Sequence, residues 1–343
     1  MGTKRREKAL AKSIQAGLLR DPDRFKKSAW GSFLAFFTFQ RIKLIRHEKH
    51  LFEKLRGEVW SFDESEYQAS FRTTSGQPPL KMMGDLGYSG STFISTLDGH
   101  YVIKSLPRHF EYTFFESDLL EPYFDFMREN PDSVLVWITD YILSPYTTLG
   151  TLCGCTPAHH IIMENALCGK ADDPNGDKWE TYDLKPINYF YPERDLMPES
   201  LVSEETLSRL ADTFNDKLHL RLSDSETLLK AVETDTQFLQ DANAVDYSFF
   251  LVRIPASSNP EQPSGRRSPW REGIQSADGK WKYRVTILDF FWAKHKLHAQ
   301  ALSGVVQTFN VVGQKGPMSI TTTADEYRRN FLKMIREMIQ VHS

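Results

Sequence analysis

The sequence predicts an α+β fold, and three observations carry that expectation. Phe249 to Val252 is a continuous apolar run, rich in aromatic and β-branched residues, of the length of a buried strand. Arg284-Val-Thr-Ile-Leu-Asp289 is a second such run. Beside these strands stand helical spacings: Phe115, Leu119, Tyr123 and Phe126 within 110–128, and Tyr327, Phe331, Met334, Ile335 and Met338 in the final segment.

Both strands have an acid at one end. Asp246-Tyr247-Ser248 sits at the mouth of the first run, and Asp289 closes the second. A single Asp in that position can simply cap a turn. Two strands that each deliver a carboxylate point to a site that holds a cation or moves a proton.

Length and composition set the outer bounds. A chain of 343 residues can bury a large core, as one big domain or two lobes. No apolar run reaches about 18 residues, so no membrane span is expected. The opening Met-Gly-Thr-Lys-Arg-Arg lacks an apolar signal core, which favours a cytoplasmic protein over a secreted one. Cys153, Cys155 and Cys168 fit neither a disulfide framework nor a tetrahedral zinc site. The net charge of −3 is unevenly placed, because residues 1–50 hold 13 Lys/Arg against 4 Asp/Glu. A basic arm on an acidic body suggests an anionic partner, membrane surface or nucleic acid, or else simply a solvated, partly disordered N-terminus.

Along the chain, residues 1–29 read as a basic arm or short helix broken at Asp21-Pro22. Trp30 to Arg46 is apolar first and basic afterwards. It suits a membrane interface, but its apolar residues are not confined to one face, so packing on the core or on a second copy of the chain is expected. Residues 84–93 are a loop of glycines and small hydroxyls, where backbone amides can approach phosphate oxygens. Asp98-Gly99 is a hairpin turn, and Tyr101-Val-Ile-Lys104 is a strand that brings a lysine to its end. Glycine loop followed by strand lysine is the order nucleotide-binding kinases use. Glu111 and Glu116 are the candidate partners of Lys104. Trp179 to Lys185 reads as another strand bringing a lysine to its end. Residues 224–240 read as a helix, and 257–278, rich in Ser, Pro, Gly and Arg, as a flexible insertion. Lys294-His-Lys-Leu-His298 opens a long loop without period, and Thr323 to Glu326 is a capping box.

Taken together, these pieces resemble the phosphatidylinositol phosphate kinase family over about residues 50–340, in the family's order. Gly87-Tyr-Ser-Gly-Ser-Thr-Phe93 is similar to its G-A-S-G-S-x-F loop, Val102-Ile-Lys104 to I-I-K, and Met163-Glu-Asn165 to M-N-N. Tyr182-Asp-Leu-Lys185 is identical to the start of Y-D-L-K-G-S. Asp235, Phe238-Leu239 and Val245-Asp-Tyr-Ser248 resemble D-x-x-F-L followed by M-D-Y-S. Ile287-Leu-Asp289 resembles I-I-D, and Tyr327 to Phe331 resembles Y-x-x-R-F. No H-R-D is present, and Asp289-Phe-Phe lacks the glycine of D-F-G, which disfavours a conventional protein kinase.

The resemblance implies a two-lobed lipid-kinase fold distantly related to protein kinases, built of antiparallel sheets with flanking helices. It implies ATP and magnesium as cofactors and a phosphoinositide in an anionic membrane surface as substrate, with peripheral membrane association, no nucleic acid, and room for a homodimer. The expected organisation is a basic segment at 1–50, a nucleotide-binding lobe at 51–166, and a catalytic lobe at 167–343 with a substrate-selecting loop at 294–323. By position, Gly87, Ser89, Gly90, Ser91, Lys104, Met163 and Asn165 would hold the nucleotide. Asp246 would orient or deprotonate the inositol hydroxyl, Lys185 would meet a phosphate, and Asp289 would hold the metal. Lys294, Lys296, Leu297 and His298 would face the lipid. Two departures stand out: Pro186-Ile187 replaces the family's Gly-Ser, and Leu297 occupies the position linked to substrate choice. The alternative is a catalytically weak relative that binds phosphoinositides or acts as a scaffold.

Overall fold

The computed structural model describes residues 2–20, 28–38, 42–72, 80–84, 91–186, 212–260, 265, 268–293 and 323–342. The glycine loop positions Gly87, Ser89 and Gly90, and the loop positions Lys294, Lys296, Leu297 and His298, lie outside the described residues.

The first half of the chain builds one six-stranded sheet. Its helices are α1 (Gly2–Leu19), α2 (Ala29–Phe36), α3 (Lys49–Lys54), α4 (Glu64–Ala69), α5 (His109–Phe114), α6 (Leu120–Glu129) and α7 (Leu149–Leu152). Its strands are β1 (Ile45–Arg46), β2 (Leu80–Gly84), β3 (Phe93–Thr96), β4 (Tyr101–Ser105), β5 (Ile138–Leu143) and β6 (His159–Glu164). They are ordered β1-β5-β6-β4-β3-β2, with antiparallel neighbours. The expected turn closes β3 onto β4, with Gly99 in the left-handed region at φ 73°.

The N-terminal segment, read as a basic arm or a short helix ending before Asp21-Pro22, is a helix over Gly2–Leu19, and it docks on this sheet. Leu10, Ile14 and Leu18 recur at helical spacing and are buried with Leu44, Ile103, Ile142 and Ile162. Of residues 30–46, expected to pack on the core or on a second copy, Ile42 and Leu44 are buried in the core, whereas Trp30, Phe33, Leu34 and Phe37 of α2 and its C-terminal end are exposed on this chain.

The helix expected over 110–128 is interrupted by a π turn at Phe115–Leu119. The buried pairs Phe114–Phe115 and Leu119–Leu120 repeat at the spacing of such a turn, so the widened turn keeps both inside.

The second half builds a smaller sheet. Its strands are β7 (Glu180–Leu184), β8 (Leu218–Arg221), β9 (Ala244–Val245), β10 (Ser248–Pro255), β11 (Ile274–Gln275), β12 (Trp281–Leu288), β13 (Trp292–Ala293) and β14 (Ile339–His342). Four of them are ordered β11-β12-β10-β7, β9 pairs with β13, and β8 pairs in parallel with β14. The helices α8 (Leu222–Asp241), α9 (Pro269–Glu272) and α10 (Ala324–Met338) flank them. The capping box appears as expected, Thr323 Oγ1 accepting from the Glu326 amide at 3.2 Å.

One apolar core runs through both halves, joining Trp60, Tyr123 and Trp137 to Phe249, Ile287 and Phe331. The linker between α6 and β5, within the first half, is fastened to β12 of the second: Ile287 N donates to Val134 O at 2.7 Å, and Val136 N to Ile287 O at 3.0 Å. Residues 257–278 were expected as a flexible insertion, but α9 buries Trp270 and places Arg271 on the linker. Arg271 donates to the carbonyls of Ser133 and Leu135, each at 2.6 Å, and reaches Glu164 at 3.0 Å. Its guanidinium lies 4.2 Å from the Trp137 ring centroid. A Ser/Pro/Arg-rich composition hides this, because one fork of five donors joins α9 to acceptors distant in the sequence.

Candidate functional site

Strand register assembles the site. Leu184 of β7 pairs with Phe249 of β10, and Leu288 of β12 pairs with Ser248 of β10. Three strands therefore end together, and the residue beyond β7 is Lys185, the one beyond β12 is Asp289, and Asp246 stands two before β10. A second ladder follows at once, Val245 of β9 pairing with Trp292 of β13. Asp246 and Asp289 each occupy the bend between the two ladders, and each has left-handed backbone, φ 64° and 63°. Asp is one of the few residues that tolerates this conformation, which turns both carboxylates out of the sheet.

Two lysine–carboxylate pairs fill the junction of the lobes. Lys104, nearly at the end of β4, meets Asp289 Oδ1 at 2.5 Å, and Lys185 meets Asp246 Oδ1 at 2.8 Å. The Lys104 ammonium also stands between the rings of Phe93 and Phe291, 5.6 and 5.5 Å from their centroids. Burial pushes the Asp289 carboxyl upward, but Lys104 and Lys185 outweigh it and hold the group below the usual carboxylate range. Burial likewise disfavours the Lys185 ammonium, and Asp246, Asp183 and Asp289 together raise it above the ordinary lysine value. Both partners of Lys104 expected from sequence are engaged elsewhere. Glu111 accepts from the Arg108 amide at 3.2 Å, although it still lies within electrostatic reach of Lys104, and Glu116 accepts from Tyr141 Oη at 2.7 Å.

Asp183 is the residue that motif reading passed over. Its carboxyl faces the Ser248 hydroxyl, Lys185 and Asp289, and its Oδ1 is buried without a hydrogen bond of normal geometry. Burial raises this carboxyl, and the nearby Asp289 charge adds to the rise. The signal was present in sequence: Asp183 and Lys185 are two apart on one strand, hence on one face. Two lysines against three carboxylates leave a net negative charge of one, the balance that a cation answers.

The remaining expected residues divide. Ser91 is buried two residues before β3. Met163 is buried opposite Val102 in β6. Asn165 spends both ends of its amide locally, donating to Gly99 O at 2.7 Å and accepting from the Leu167 amide at 3.0 Å. Other motif residues support the site from behind. Tyr327 Oη donates to Tyr247 O at 2.5 Å, and Tyr327 and Phe331 pack on the Tyr247 ring, bracing the bend that carries Asp246. Asp235 Oδ2 accepts from the Val134 amide at 2.7 Å and so ties α8 to the linker.

The two sheets and their junction define a mixed α+β chain of kinase type. A profile of the Phosphatidylinositol-4-phosphate 5-Kinase family matches residues 74–269, more than half of the chain, and the chain belongs to that family. It is 28% identical over 242 residues to phosphatidylinositol 4-phosphate 5-kinase type-1 beta of Gallus gallus, an alignment covering 68% of this chain and 40% of the relative. To a probable phosphatidylinositol phosphate kinase of Dictyostelium discoideum it is 24% identical over 218 residues, covering 61% and 28%. The chain thus spans less than half the length of these relatives. Among the described residues, no helix is long and apolar enough to cross a membrane.

Proposed function

We propose that this chain transfers the terminal phosphoryl group of ATP to the inositol ring of a phosphatidylinositol monophosphate, with phosphatidylinositol 4-phosphate as substrate and the 5-hydroxyl as acceptor. The observation that carries this reading is the junction at which Lys104 meets Asp289 and Lys185 meets Asp246. Phosphoryl transfer asks for positioning and charge neutralisation rather than a protein nucleophile. In this reading Lys104 binds nucleotide phosphate, Lys185 binds a phosphate of nucleotide or lipid, and Asp246 orients or deprotonates the attacking hydroxyl.

Magnesium fits the donor set. Among the described residues no three acidic or imidazole groups form a dedicated cage. Magnesium is ordinarily held by one or two carboxylates together with substrate phosphates, and Asp289 and Asp183, with its under-satisfied oxygen, are those carboxylates. When bound, the ion neutralises charge on the transferring phosphate. The protein would act at the cytoplasmic face of a membrane as a peripheral enzyme. Turnover of ATP is to be measured with a panel of mono-phosphorylated phosphoinositides in vesicles, with identification of the product. A bisphosphate product with the new phosphate at position 5 supports the reading. Lipid binding without turnover would instead make the chain a phosphoinositide-binding module.

A further inference from the structure

We infer that α2 is a membrane-inserting wedge: the face bearing Trp30, Phe33, Leu34 and Phe37 enters the interface of an anionic bilayer. This rests on the lipid-substrate reading above and adds the element that holds the chain on its substrate surface.

The four residues stand at i, i+3, i+4 and i+7, one stripe of a helix and the residue that ends it. They are 77%, 57%, 66% and 58% exposed. Leu152, at the end of α7, is 62% exposed. Large apolar side chains exposed side by side along one helix face signal a partner surface.

The opposite side of α2 is fixed. Ser28 Oγ caps the helix by accepting from the Gly31 amide at 2.9 Å. A Cβ on Gly31 would stand 2.9 Å from Tyr146 Oη, so the helix backbone rests directly on that side chain. After the helix, Gly150 N donates to Thr38 O at 3.1 Å. The apolar stripe is therefore presented outward by a helix moored on the β5–β6 connection.

Position and charge select the occupant. The β5–β6 connection leaves the sheet where Leu143 pairs with His159 and Ser105 with His160, one residue beyond Lys104. The wedge thus lies at the end of the sheet that carries the candidate site. Residues 1–50 hold 13 Lys/Arg against 4 Asp/Glu. A second copy docked on the same stripe would bring two such positive segments together, whereas anionic headgroups neutralise them. Aromatic side chains with a basic flank are the composition of interfacial helices.

The test compares the full chain with a combined Trp30→Ser, Phe33→Ser, Leu34→Ser variant, all surface positions. Binding is measured by sedimentation with phosphatidylcholine vesicles, with and without phosphatidylserine. An environment-sensitive dye on the exposed thiols Cys153 and Cys155, beside the mooring loop, reports insertion, since Cys168 is buried. Turnover is measured separately on a soluble short-chain phosphoinositide. The expected result is a blue shift with phosphatidylserine vesicles, a loss of vesicle binding of at least tenfold in the variant, and soluble turnover within twofold of the unmodified chain. Vesicle binding unchanged within twofold overturns the inference. So does a dimer that the substitutions dissociate while vesicle binding stays intact, which would assign the stripe to a second copy. If neither protein turns over the soluble lipid while the tenfold binding difference holds, the kinase reading fails and the wedge stands.

Discussion

Asp246 and Asp289 share one backbone conformation, φ 64° and 63°, at equivalent bends between the same two strand ladders. Each meets its own lysine from another strand, Lys185 and Lys104. A left-handed bend at a non-glycine residue costs on the order of 1 kcal/mol or more. Holding two of them side by side is worthwhile where the carboxylates act on something outside the fold.

Asp289→Asn keeps a residue that accepts the left-handed bend but removes the charge. The expected outcome is turnover below about a tenth of the unmodified rate, since loss of a metal ligand removes more than one factor of ten in rate. The variant should still unfold in one cooperative step, at a lower melting temperature because the buried Lys104 ammonium loses its counter-charge. Steady-state kinetics and a thermal melt check both halves. A retained rate would return Asp289 to a turn-capping role.

Asp183→Asn separates the second carboxylate from the first. The magnesium concentration giving half the maximal rate should rise several-fold, because one oxygen ligand has lost its charge. The KM for ATP at saturating magnesium should stay within twofold. A magnesium titration in which the two proteins superimpose would exclude Asp183 from the cation site.

Arg271→Ala removes the donor to two linker carbonyls and the cation beside Glu164, which keeps only the Trp137 amide at 2.9 Å. Removing one partner of a largely buried charge pair costs about 3 kcal/mol, read as a lower denaturation midpoint at unchanged slope. Arg271→Lys should recover only part of the loss, because an ammonium cannot present the same fork. A midpoint unmoved by the alanine change would mean the linker holds without α9.

His160 makes stability depend on pH. The ring is buried, with Nε2 3.1 Å from Pro157 O, and burial lowers its pKa to about 4. The unfolded chain takes up the proton near the ordinary value of about 6.5. The folded state is therefore favoured above that pH, and this contribution is lost as pH falls from about 6.5 towards 4, to the extent of about 2–3 kcal/mol. Denaturation midpoints across that range, compared with a His160→Gln variant, should show a shallower fall for the variant.

Leu297→Glu addresses substrate choice. A leucine accepts no hydrogen bond from an inositol hydroxyl, so a carboxylate there should change the ratio of rates on the 4-phosphate and 5-phosphate lipids. A ratio constant within about twofold, under roughly 0.5 kcal/mol, would remove the position from lipid recognition.

Much of the site was legible because β-strands announce themselves locally. The runs ending at Asp289 and starting after Asp246 are apolar and β-branched, and their acids stand out against them. Lys104 and Lys185 were legible for the same reason. Asp183 was missed through weighting the motif's lysine and ignoring the period-two neighbour on its face. The π turn at Phe115–Leu119 follows from adjacent buried pairs, a pattern that a single α-helical period cannot express. Arg271 was not legible, since its acceptors lie more than a hundred residues away. The outward face of α2 was not legible either. Hydrophobicity says that a segment avoids water, not which solvent it enters instead.

Under the proposed function, the two ion pairs also make the site an exchanger. Lys104 and Lys185 stand with their charges already answered by Asp289 and Asp246, so a lysine that turns to an anion must give up a carboxylate. That carboxylate is then free to take a cation. Occupancy by the anion and by the cation should therefore promote one another, each tightening the other by the same factor. An exchanger of this kind keeps its lysines paired when empty and loads both kinds of charge together.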